Sequence, residues 1–491
     1  MKNSSKVILS RLKDLRKNQP ISIAHRGASA WANENTLRAF RIANKLCSQM
    51  WELDVQLTKD KICVVCHDDN LLRLTGYDLN IFECNWDDLK NIPLKKGGHL
   101  TTLREVIILC EELNSWLYIE VKGKGAGIAA LNELRNYNFQ NALLGSFEID
   151  YLIELRENNC EYPLSILLPF GKEPIDLAGS VGVDIIHLCW EKAHPKPQQL
   201  IKPELLKDAN NSGLEVILWH EERPEILNEL LVLPVLGICS DKPELLTPLP
   251  KIEDHKLKIV CHRGAETFTP ENSMSSIELA FNQGFEVVEI DVRDTSDGIP
   301  MVIHDSRVNR TTNSGGQFNK MTYKQINQLD AGSWFDPFFS NEKIPKLEDV
   351  LNFAKGRGQV YIEIKKANPE SIVGLIEKAE MLKETFLWCE DESVMDKLRF
   401  INNNIRLMSR RYDFDSIEET IERHNPYLVE FNGLNFSKDD IDFCHKNGVL
   451  TMSFTMSSNP NTIKKLSESG FDFLNLSHPE IFKIISLSRE Y

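Results

Sequence analysis

The chain has 491 residues, a formal net charge of −15 at pH 7 and a sequence pI near 5.4. This acidity argues against a nucleic-acid-binding protein, because contacts with phosphate backbones need a basic surface. The length exceeds what one ordinary hydrophobic core accommodates, so we expect more than one domain.

The first predicted element is a basic lead-in, residues 1–20. Its cationic residues are Lys2, Lys6, Arg11, Lys13, Arg16 and Lys17. The pattern predicts an amphipathic helix that packs beside the first domain, and a membrane-surface helix is the alternative. The apolar stretch within it, residues 7–9, is too short for the core of a signal peptide.

The longest apolar run, residues 230–239, is interrupted by Pro234 and Gly237 and spans about half a bilayer. We therefore expect a cytoplasmic protein without a transmembrane segment. Peripheral membrane contact, and export by a signal that we do not recognise, are left open.

Apolar strand-like runs alternate with helix-like stretches through residues 21–247. The predicted strands are 21–25, 50–57, 62–67, 116–122, 142–147, 164–168, 184–190, 214–219 and 235–240, with helices between them, for example 34–47 and 101–113. Setting aside 62–67 as an addition, eight strand–helix units predict a (β/α)8 barrel, and residues 248–256, which contain Pro248 and Pro250, are the predicted linker.

The order of elements repeats in residues 257–491. The predicted strands there are 258–262, 287–292, 301–304, 359–365, 386–390, 406–409, 428–431, 450–455 and 471–476. The expected fold class is therefore α/β, with two tandem (β/α)8 TIM barrels.

A set of polar residues recurs in both halves at one spacing. His25, Glu34, Glu52, Asp54 and His67 match His262, Glu271, Glu289, Asp291 and His304, each pair 237 residues apart. Glu120 and Lys122 match Glu363 and Lys365 at a spacing of 243, so the second copy has six extra residues before Glu363. A gapless match of this kind predicts a duplicated domain that carries the same site twice.

The cysteines are interpreted as reduced, because their number is odd, 11, and the two copies share no cysteine spacing. Residues 63–67 spell the C-x-x-C-H pattern of haem attachment, but the second copy retains only the histidine, His304. We therefore predict a buried strand at this place rather than a haem site.

The repeated residues favour metal-assisted phosphodiester cleavage. Glu52 and Asp54 point to one face of a strand, because strand side chains alternate. Three carboxylates per copy form an oxygen site suited to Mg²⁺, Ca²⁺ or Mn²⁺. Nearby Arg and Lys side chains offset phosphate charge, and two histidines on different strands can act as base and acid.

The ordered motifs resemble the glycerophosphodiester phosphodiesterase family over nearly the whole chain. The motifs are His25-Arg26-Gly27, Glu34-Asn35-Thr36, Glu52-x-Asp54, His67-Asp68 and Glu120-x-Lys122 with their second-copy partners, supported by Trp219, Ser240-Asp241-Lys242-Pro243, Gly332-Ser333-Trp334-Phe335 and Ile344 to Asp349. The resemblance implies a TIM barrel of the phospholipase-C-like phosphodiesterase type that hydrolyses glycerophosphodiesters to sn-glycerol 3-phosphate and an alcohol.

Site roles follow from the resemblance residue by residue. The implied metal ligands are Glu52, Asp54 and Glu120 in one copy and Glu289, Asp291 and Glu363 in the other, with one divalent cation in each active barrel. The implied acid and base residues are His25, His67, His262 and His304. The implied substrate-binding residues are Arg26, Glu34, Lys122 and Trp219, and Arg263, Glu271, Trp334 and Lys365.

As a hypothesis for mechanism, one histidine deprotonates the glycerol 2-hydroxyl, which attacks phosphorus to give a cyclic phosphate. The other histidine protonates the leaving alcohol, and water then opens the ring. Sequence does not assign which histidine takes which role.

The copies depart from the family pattern at different places. The first copy has Asn33 where the second has Pro270, and it lacks the segment that carries Trp334. The second copy has Phe454 and Ser477 where the first has Trp219 and Asp241. Two active sites with different alcohol preferences, one active site, and none are all left open.

Two other functions remain alternatives. One is a lysophospholipase D or a phosphodiesterase like sphingomyelinase D, which would need an apolar mouth to its site. The other is a non-catalytic scaffold that binds phosphodiesters without turnover.

Overall fold

The computed structural model of the chain describes residues 2–16, 19–249 and 257–489. Contacts divide the chain into two compact units, Met1–Thr247 and Pro248–Tyr491. Most of the predicted linker, residues 250–256, lies outside the described residues, as do residues 1, 17 and 18 of the predicted lead-in. No helix in the described part is both long and apolar enough to cross a bilayer.

The first unit alternates strands and helices. Its strands are β1 (Ile21–Ala24), β2 (Met50–Leu57), β3 (Cys63–Val65), β4 (Thr101–Thr102), β5 (Trp116–Val121), β6 (Ala142–Ser146), β7 (Leu164–Pro169), β8 (Ile185–Cys189), β9 (Glu215–His220) and β10 (Gly237–Ser240). Its helices are α1 (Lys2–Asp14), α2 (Leu37–Lys45), α3 (Leu72–Thr75), α4 (Trp86–Leu89), α5 (Leu103–Glu112), α6 (Ala126–Asn136), α7 (Ile149–Glu157), α8 (Pro174–Val181), α9 (Pro203–Asn211) and α10 (Pro224–Leu230), with short 3₁₀ turns at Ile81–Glu83, Pro197–Leu200 and Pro243–Leu246.

Eight of these described strands form a closed parallel barrel. They follow the order β1-β2-β5-β6-β7-β8-β9-β10, and β10 pairs back onto β1. The predicted (β/α)8 fold is confirmed for this unit. The predicted strand at 62–67 is shorter, β3, and pairs antiparallel with β2, so it lies outside the barrel.

Helix α1 lies at the amino-terminal mouth of the first barrel. Its apolar residues Ile8, Leu9 and Leu12 are buried. Arg11 donates a hydrogen bond to Asn141 just before β6, and Lys13 pairs with Glu215 at the start of β9. The apolar face that a membrane-surface helix would use is therefore covered by the barrel.

The second unit has the same order of elements. Its strands are β11 (Lys258–Cys261), β12 (Val287–Asp294), β13 (Pro300–Val302), β14 (Gln359–Lys366), β15 (Thr385–Trp388), β16 (Met408–Arg410), β17 (Leu428–Asn432), β18 (Leu450–Thr455) and β19 (Phe473–Leu476). Its helices are α11 (Met274–Asn282), α12 (Tyr323–Ile326), α13 (Leu347–Ala354), α14 (Pro369–Lys378), α15 (Glu392–Ile401), α16 (Ile417–His424), α17 (Lys438–Lys446), α18 (Pro460–Ser467) and α19 (Pro479–Arg489), with 3₁₀ turns at Phe318–Lys320, Pro337–Phe339 and Arg411–Asp413.

The second barrel is nearly closed. Its described parallel strands follow the order β15-β14-β12-β11-β19-β18-β17-β16, and β13 pairs antiparallel with β12. Between the end strands, Leu387 and Leu407 form an isolated parallel bridge. The second (β/α)8 prediction is therefore confirmed as well.

A small apolar cluster follows β3 and β13 in each unit. In the second unit it contains Val308, Phe318, Ile326 and Leu329, and in the first it contains Cys66, Leu71 and Leu89 among others. Cys66 is buried there, and burial raises the pKa of its thiol to about 12. Its environment is that of a small apolar core residue.

Candidate active sites

Three acidic side chains meet at the carboxyl end of each barrel. In the first barrel they are Glu52 and Asp54 on β2 and Glu120 on β5, all buried. One carboxylate oxygen from each lies within 4.8 Å of the others. Glu289, Asp291 and Glu363 meet the same limit in the second barrel. The carboxyl ends of barrel strands are where this fold presents functional residues.

Burial and mutual repulsion disfavour the charged forms of Glu52 and Glu120 in the first triad. Burial, and then the charges of Asp54 and Glu120, raise the pKa of Glu52 well above its ordinary value. Burial and Asp54 raise the pKa of Glu120 to about 7, although Lys122 lowers it. The pKa of Asp54 is lowered, because Arg26 and Lys122 outweigh the effect of burial.

One carboxylate oxygen of the first glutamate in each triad has no hydrogen-bond partner among the described residues. Glu52 Oε2 accepts the backbone N–H of Arg26 at 2.9 Å, and Glu289 Oε2 accepts that of Arg263 at 2.8 Å. Among the described residues, neither Glu52 Oε1 nor Glu289 Oε1 has a hydrogen-bond partner, and both are buried. A buried carboxylate oxygen without a partner is costly, so this donor set fits an oxygen-seeking divalent cation.

The His-Arg-Gly turn after the first strand fixes the amide that binds Glu52. Arg26 has a φ of 56° and Gly27 a φ of 79°. A Cβ on Gly27 would lie 2.7 Å from the Cβ of Ala39 on α2, so only glycine fits there. The equivalent Gly264 has a φ of 80° and packs as closely against Ser276.

The first and third residues of the Glu-Asn-Thr motif have separate tasks. Glu34 accepts one hydrogen bond from Arg26, and the side chain of Thr36 caps α2 by accepting the N–H of Ala39. The predicted helix start at 34 is therefore wrong, because Asn35 has a φ of 59° and α2 begins at Leu37.

Asn35 is a site residue to which the sequence analysis assigned no role. Its Nδ2 donates to Asp54 Oδ2 at 2.9 Å, and its Oδ1 accepts the Asp54 N–H at 3.3 Å. Asn272 repeats both bonds with Asp291, at 2.8 and 3.1 Å. The spacing of 237 residues between the two asparagines is the signal that could have indicated this role.

Arg73 is a second residue of this kind. It donates to both oxygens of Glu34 and, through Nε, to Asp68 Oδ2 at 2.6 Å. Arg310 forms the same bridge between Glu271 and Asp305. The bridge ties Glu34 to the carboxylate beside His67, and the 237-residue spacing again relates the two arginines.

The predicted phosphate-binding cations lie against the acidic triads. Arg26 Nε lies 3.2 Å from Asp54 Oδ2, and Lys122 Nζ lies 2.7 Å from Glu120 Oε1. In the second barrel, Lys365 pairs with Glu363, and its Nζ lies 3.4 Å from Asp291 Oδ1. These cations face the same space as the carboxylates.

Both predicted acid–base histidines of the first barrel are held through Nδ1 by a carboxylate. His25 Nδ1 lies 2.6 Å from Asp241 Oδ1, and His67 Nδ1 lies 2.7 Å from Asp68 Oδ1. An ionised carboxylate only accepts, so we assign the proton to Nδ1 in both rings. Burial lowers the pKa of His25 even though the bond to Asp241 raises it, which favours the neutral imidazole that a general base requires.

Asp241 and His220 both contact the His25 ring. Burial alone would raise the pKa of Asp241, but hydrogen bonds from His25 and Ser29 lower it to about 2. The His220 ring stacks on His25 with centroids 4.8 Å apart and planes 1° from parallel. Nothing in the sequence analysis singled out His220.

The second barrel holds His262 differently. His262 Nδ1 lies 2.8 Å from Glu266 Oε1 and 3.1 Å from Ser477 Oγ. His304 Nδ1 lies 2.7 Å from Asp305 Oδ1, as in the first barrel. Phe454 lies 5.2 Å from the His262 ring between centroids. The strand register places it where the first barrel has His220, so the predicted match of Phe454 with Trp219 is wrong.

A cavity of about 220 Å³ contains the first site. Its lining includes His25, Arg26, Glu52, His67, Glu120, Lys122, Phe147, Leu167, His187, Trp219 and His220. The predicted substrate-binding Trp219 thus lines the same cavity as His25 and His67. Trp334 lies on the loop of residues 332–335, donates its ring N–H to Ala331 and packs against Phe335.

The walls of the two barrels carry different charges at equivalent places. Leu167 on β7 is in register with His187 on β8, and Arg410 on β16 is in register with Glu430 on β17. The Arg410 guanidinium lies 3.2 Å from the Trp388 ring centroid, and its Nε lies 3.2 Å from Glu430 Oε1. An ion pair therefore replaces a leucine and a neutral histidine.

Comparison with known proteins agrees with this geometry. The glycerophosphoryl diester phosphodiesterase family matches residues 25–245 and 262–474. A glycerophosphodiester phosphodiesterase of Caldanaerobacter subterraneus is 28% identical over 241 residues, 46% of this chain and 96% of that protein. One of Bacillus subtilis is 25% identical over 282 residues, 52% of this chain and 92% of that protein.

A solved structure also resembles the chain. The glycerophosphodiester phosphodiesterase of Agrobacterium tumefaciens is 32% identical, with a TM-score of 0.45, and the match covers 46% of this chain and 99% of that one. The family match extends over most of both units and includes the acidic triads and the histidines. The chain therefore belongs to the glycerophosphoryl diester phosphodiesterase family of phosphoric diester hydrolases.

Proposed function

We propose that each barrel hydrolyses glycerophosphodiesters to sn-glycerol 3-phosphate and an alcohol, with the help of a divalent cation. The observation that carries this proposal is the pair of buried oxygens, Glu52 Oε1 and Glu289 Oε1, that lack a hydrogen-bond partner among the described residues, each within one of two matching acidic triads. Each triad lies beside two histidines that carboxylates hold through Nδ1.

Glu52, Asp54 and Glu120 would hold the cation in the first barrel, and Glu289, Asp291 and Glu363 in the second. Carboxylate oxygens alone suit Mg²⁺, Ca²⁺ or Mn²⁺. When bound, the cation offsets negative charge that grows on the phosphoryl group in the transition state. Arg26 with Lys122, and Arg263 with Lys365, would bind the phosphate oxygens from the same side.

Proton transfer would fall to the histidines. A histidine whose Nδ1 proton is bound by a carboxylate presents Nε2 as an acceptor, so it can take the proton of the glycerol 2-hydroxyl. That hydroxyl would attack phosphorus to give a cyclic phosphate, and the other, protonated histidine would give its proton to the leaving alcohol. The two histidines would exchange roles in the second step. The histidine that protonated the alcohol would take a proton from water as it attacks phosphorus, and the other would return its proton to the glycerol 2-oxygen as the ring opens.

A lysophospholipase D activity is the second candidate function. It is favoured by apolar exposure at the carboxyl end of the first barrel. Phe147, which follows β6 and lines the cavity, is 42% exposed, and Phe170, which follows β7, is 55% exposed. Such rings could contact an acyl chain at a lipid surface, so lysophosphatidylcholine belongs in the substrate panel.

The testing experiment is glycerol 3-phosphate release from glycerophosphocholine and glycerophosphoethanolamine, with and without EDTA. We expect metal-dependent release by the wild type and partial loss in both His25→Ala and His262→Ala, since each removes one of two working sites. Loss of a general acid or base costs about 10²- to 10⁴-fold in the affected barrel.

His445→Ala serves as a control, because this histidine at the end of α17 bonds to Asp472, just before the start of β19. Cleavage of lysophosphatidylcholine alone would replace the substrate assignment. Tight binding of glycerophosphodiesters without any release would instead favour the scaffold function.

A further inference from the structure

Two positions beside His25 carry a hydroxyl and a carboxylate, and the equivalent positions beside His262 carry the same two groups in reverse order. The first barrel has Ser29 and Asp241, and the second has Glu266 and Ser477. Ser29 and Glu266 are 237 residues apart, the spacing of the whole motif set. A hydroxyl and a carboxylate are therefore present in both barrels, with their positions reversed.

Strand register independently shows that Asp241 and Ser477 are equivalent. Ala24 on β1 pairs with Ser240 on β10, and Cys261 on β11 pairs with Leu476 on β19. The residues that follow these two pairs are therefore neighbours as well: His25 lies beside Asp241, and His262 lies beside Ser477. The N–H of His25 donates to Ser240, and that of His262 donates to Leu476, at 2.9 and 3.1 Å.

Both arrangements place an acceptor at the same ring nitrogen. In the first barrel the carboxylate comes from the residue after β10, at 2.6 Å, and Ser29 Oγ donates to that carboxylate at 2.8 Å. In the second, the carboxylate comes from the turn after β11, at 2.8 Å, and the serine lies 3.1 Å from the nitrogen.

An ordinary surface ion pair between Glu266 and His262 is the simpler explanation, since the two are four residues apart. Surface pairs are usually exposed and contribute little. Here the histidine side chain is only 12% exposed and that of the glutamate 20%. The loss of the carboxylate at 477 together with its gain at 266 is also unexplained by a chance surface pair.

We propose that Glu266 is the positioning residue of His262, and that the second barrel is thereby catalytically competent despite the serine at 477. Glu266 fixes the proton on Nδ1 and the plane of the ring, which leaves Nε2 for proton transfer. This inference rests on the proposed phosphodiesterase function and adds a residue to it.

The test uses the full chain with the first barrel silenced by Glu52→Gln and His67→Ala. In this background, Glu266→Gln is expected to lower kcat by roughly 10- to 100-fold with little change in KM, because the residue orients the base and does not touch the substrate. The double variant Glu266→Ser with Ser477→Asp is expected to recover most of that loss.

The reciprocal exchange is the matched control. With the second barrel silenced by Glu289→Gln and His304→Ala, Asp241→Ser should lower kcat, and adding Ser29→Glu should restore it. Thermal denaturation of every variant separates a loss of folding from a loss of positioning. Unchanged kcat in a folded Glu266→Gln chain, or no recovery in a folded exchange variant, would overturn the inference.

Failure of the proposed function is distinguishable from failure of this inference. If the wild type releases glycerol 3-phosphate but the chain silenced in its first barrel does not, the inference is wrong and the function stands on the first barrel. If no chain has activity, ¹⁵N spectra of His262 decide: an Nδ1 proton lost in Glu266→Gln and regained in the exchange variant supports positioning, and an unchanged tautomer contradicts it.

Discussion

Glu52 shows most directly how a proposed metal ligand conflicts with stability. Its carboxylate is buried between Asp54 and Glu120, with Oε1 lacking a hydrogen-bond partner among the described residues. Such a group is costly unless a cation binds it. The same conflict recurs at Glu289, whose pKa burial, Asp291 and Glu363 raise well above the ordinary value.

Neutralising Glu52 should therefore stabilise the metal-free protein. Because the folded pKa of this carboxyl is raised, its contribution to stability is fully present below the unfolded value near 4.5 and is lost as pH rises through the folded pKa. In EDTA at pH 8, Glu52→Gln should gain about 1–3 kcal/mol over the wild type, and the gain should shrink toward pH 4.5.

Urea unfolding across this pH range measures the difference. Glu157→Gln, at an exposed site on α7, controls for the loss of a surface charge. Adding the cation should reverse the order, since only the wild type has a complete triad in the first barrel. A Glu52→Gln chain that is less stable than the wild type in EDTA at pH 8 would show that the carboxylate is satisfied without a cation.

The turn after each first strand is the element that assembles the site. It brings the histidine to the barrel mouth, directs the Arg26 or Arg263 amide to a triad glutamate, and passes under the next helix at a glycine. The predicted strand ends differ from those observed by small amounts, as at β16, because the hydrogen-bonding neighbours decide where pairing stops.

Gly27→Ala should cost both stability and activity. A Cβ at this position would lie 2.7 Å from Ala39, and the φ of 79° is unfavourable for any other residue. Gly182→Ala is the matched control, because its φ is 73° but nothing lies within 4 Å of the added Cβ. We expect about 1–2 kcal/mol for the control and a larger loss for Gly27→Ala.

Urea unfolding and first-barrel kcat, measured in the chain silenced by Glu289→Gln and His304→Ala, test this difference. Equal losses of stability in the two variants would mean that α2 shifts freely away from the turn. In that case the close approach would not be what demands glycine.

At the scale of the whole molecule, the two barrels repeat one set of acidic and histidine side chains and differ in their walls. Leu167 and His187 stand in the first barrel where Arg410 and Glu430 stand in the second. Burial raises the pKa of Glu430 to about 7, although Arg410 lowers it. At these two positions the second barrel therefore presents an ion pair where the first presents a leucine and a neutral histidine.

This difference predicts distinct alcohol preferences. Chains silenced in one barrel should rank glycerophosphocholine, glycerophosphoethanolamine and glycerophosphoserine by kcat/KM in different orders, with ratios that differ by about tenfold or more. Arg410→Leu in the chain silenced in its first barrel should shift the ranking. Lys397→Leu, whose lysine pairs with Glu370 on the surface, is the control.

Identical rankings for the two barrels would contradict this prediction. They would indicate that the wall positions do not contact the leaving alcohol, and that the wild-type activity is the sum of two equivalent sites.

The sequence by itself determined the duplication, the barrel fold and the triads, because strand periodicity and a constant spacing are local or repeated properties of the chain. Only the tertiary structure decided which residues distant in sequence share a hydrogen bond. Ser477 beside His262, Asp241 beside His25, and Arg73 beside Glu34 meet through loops and strand register. Such contacts depend on how the strands pair in three dimensions, which residue spacing along the chain does not encode.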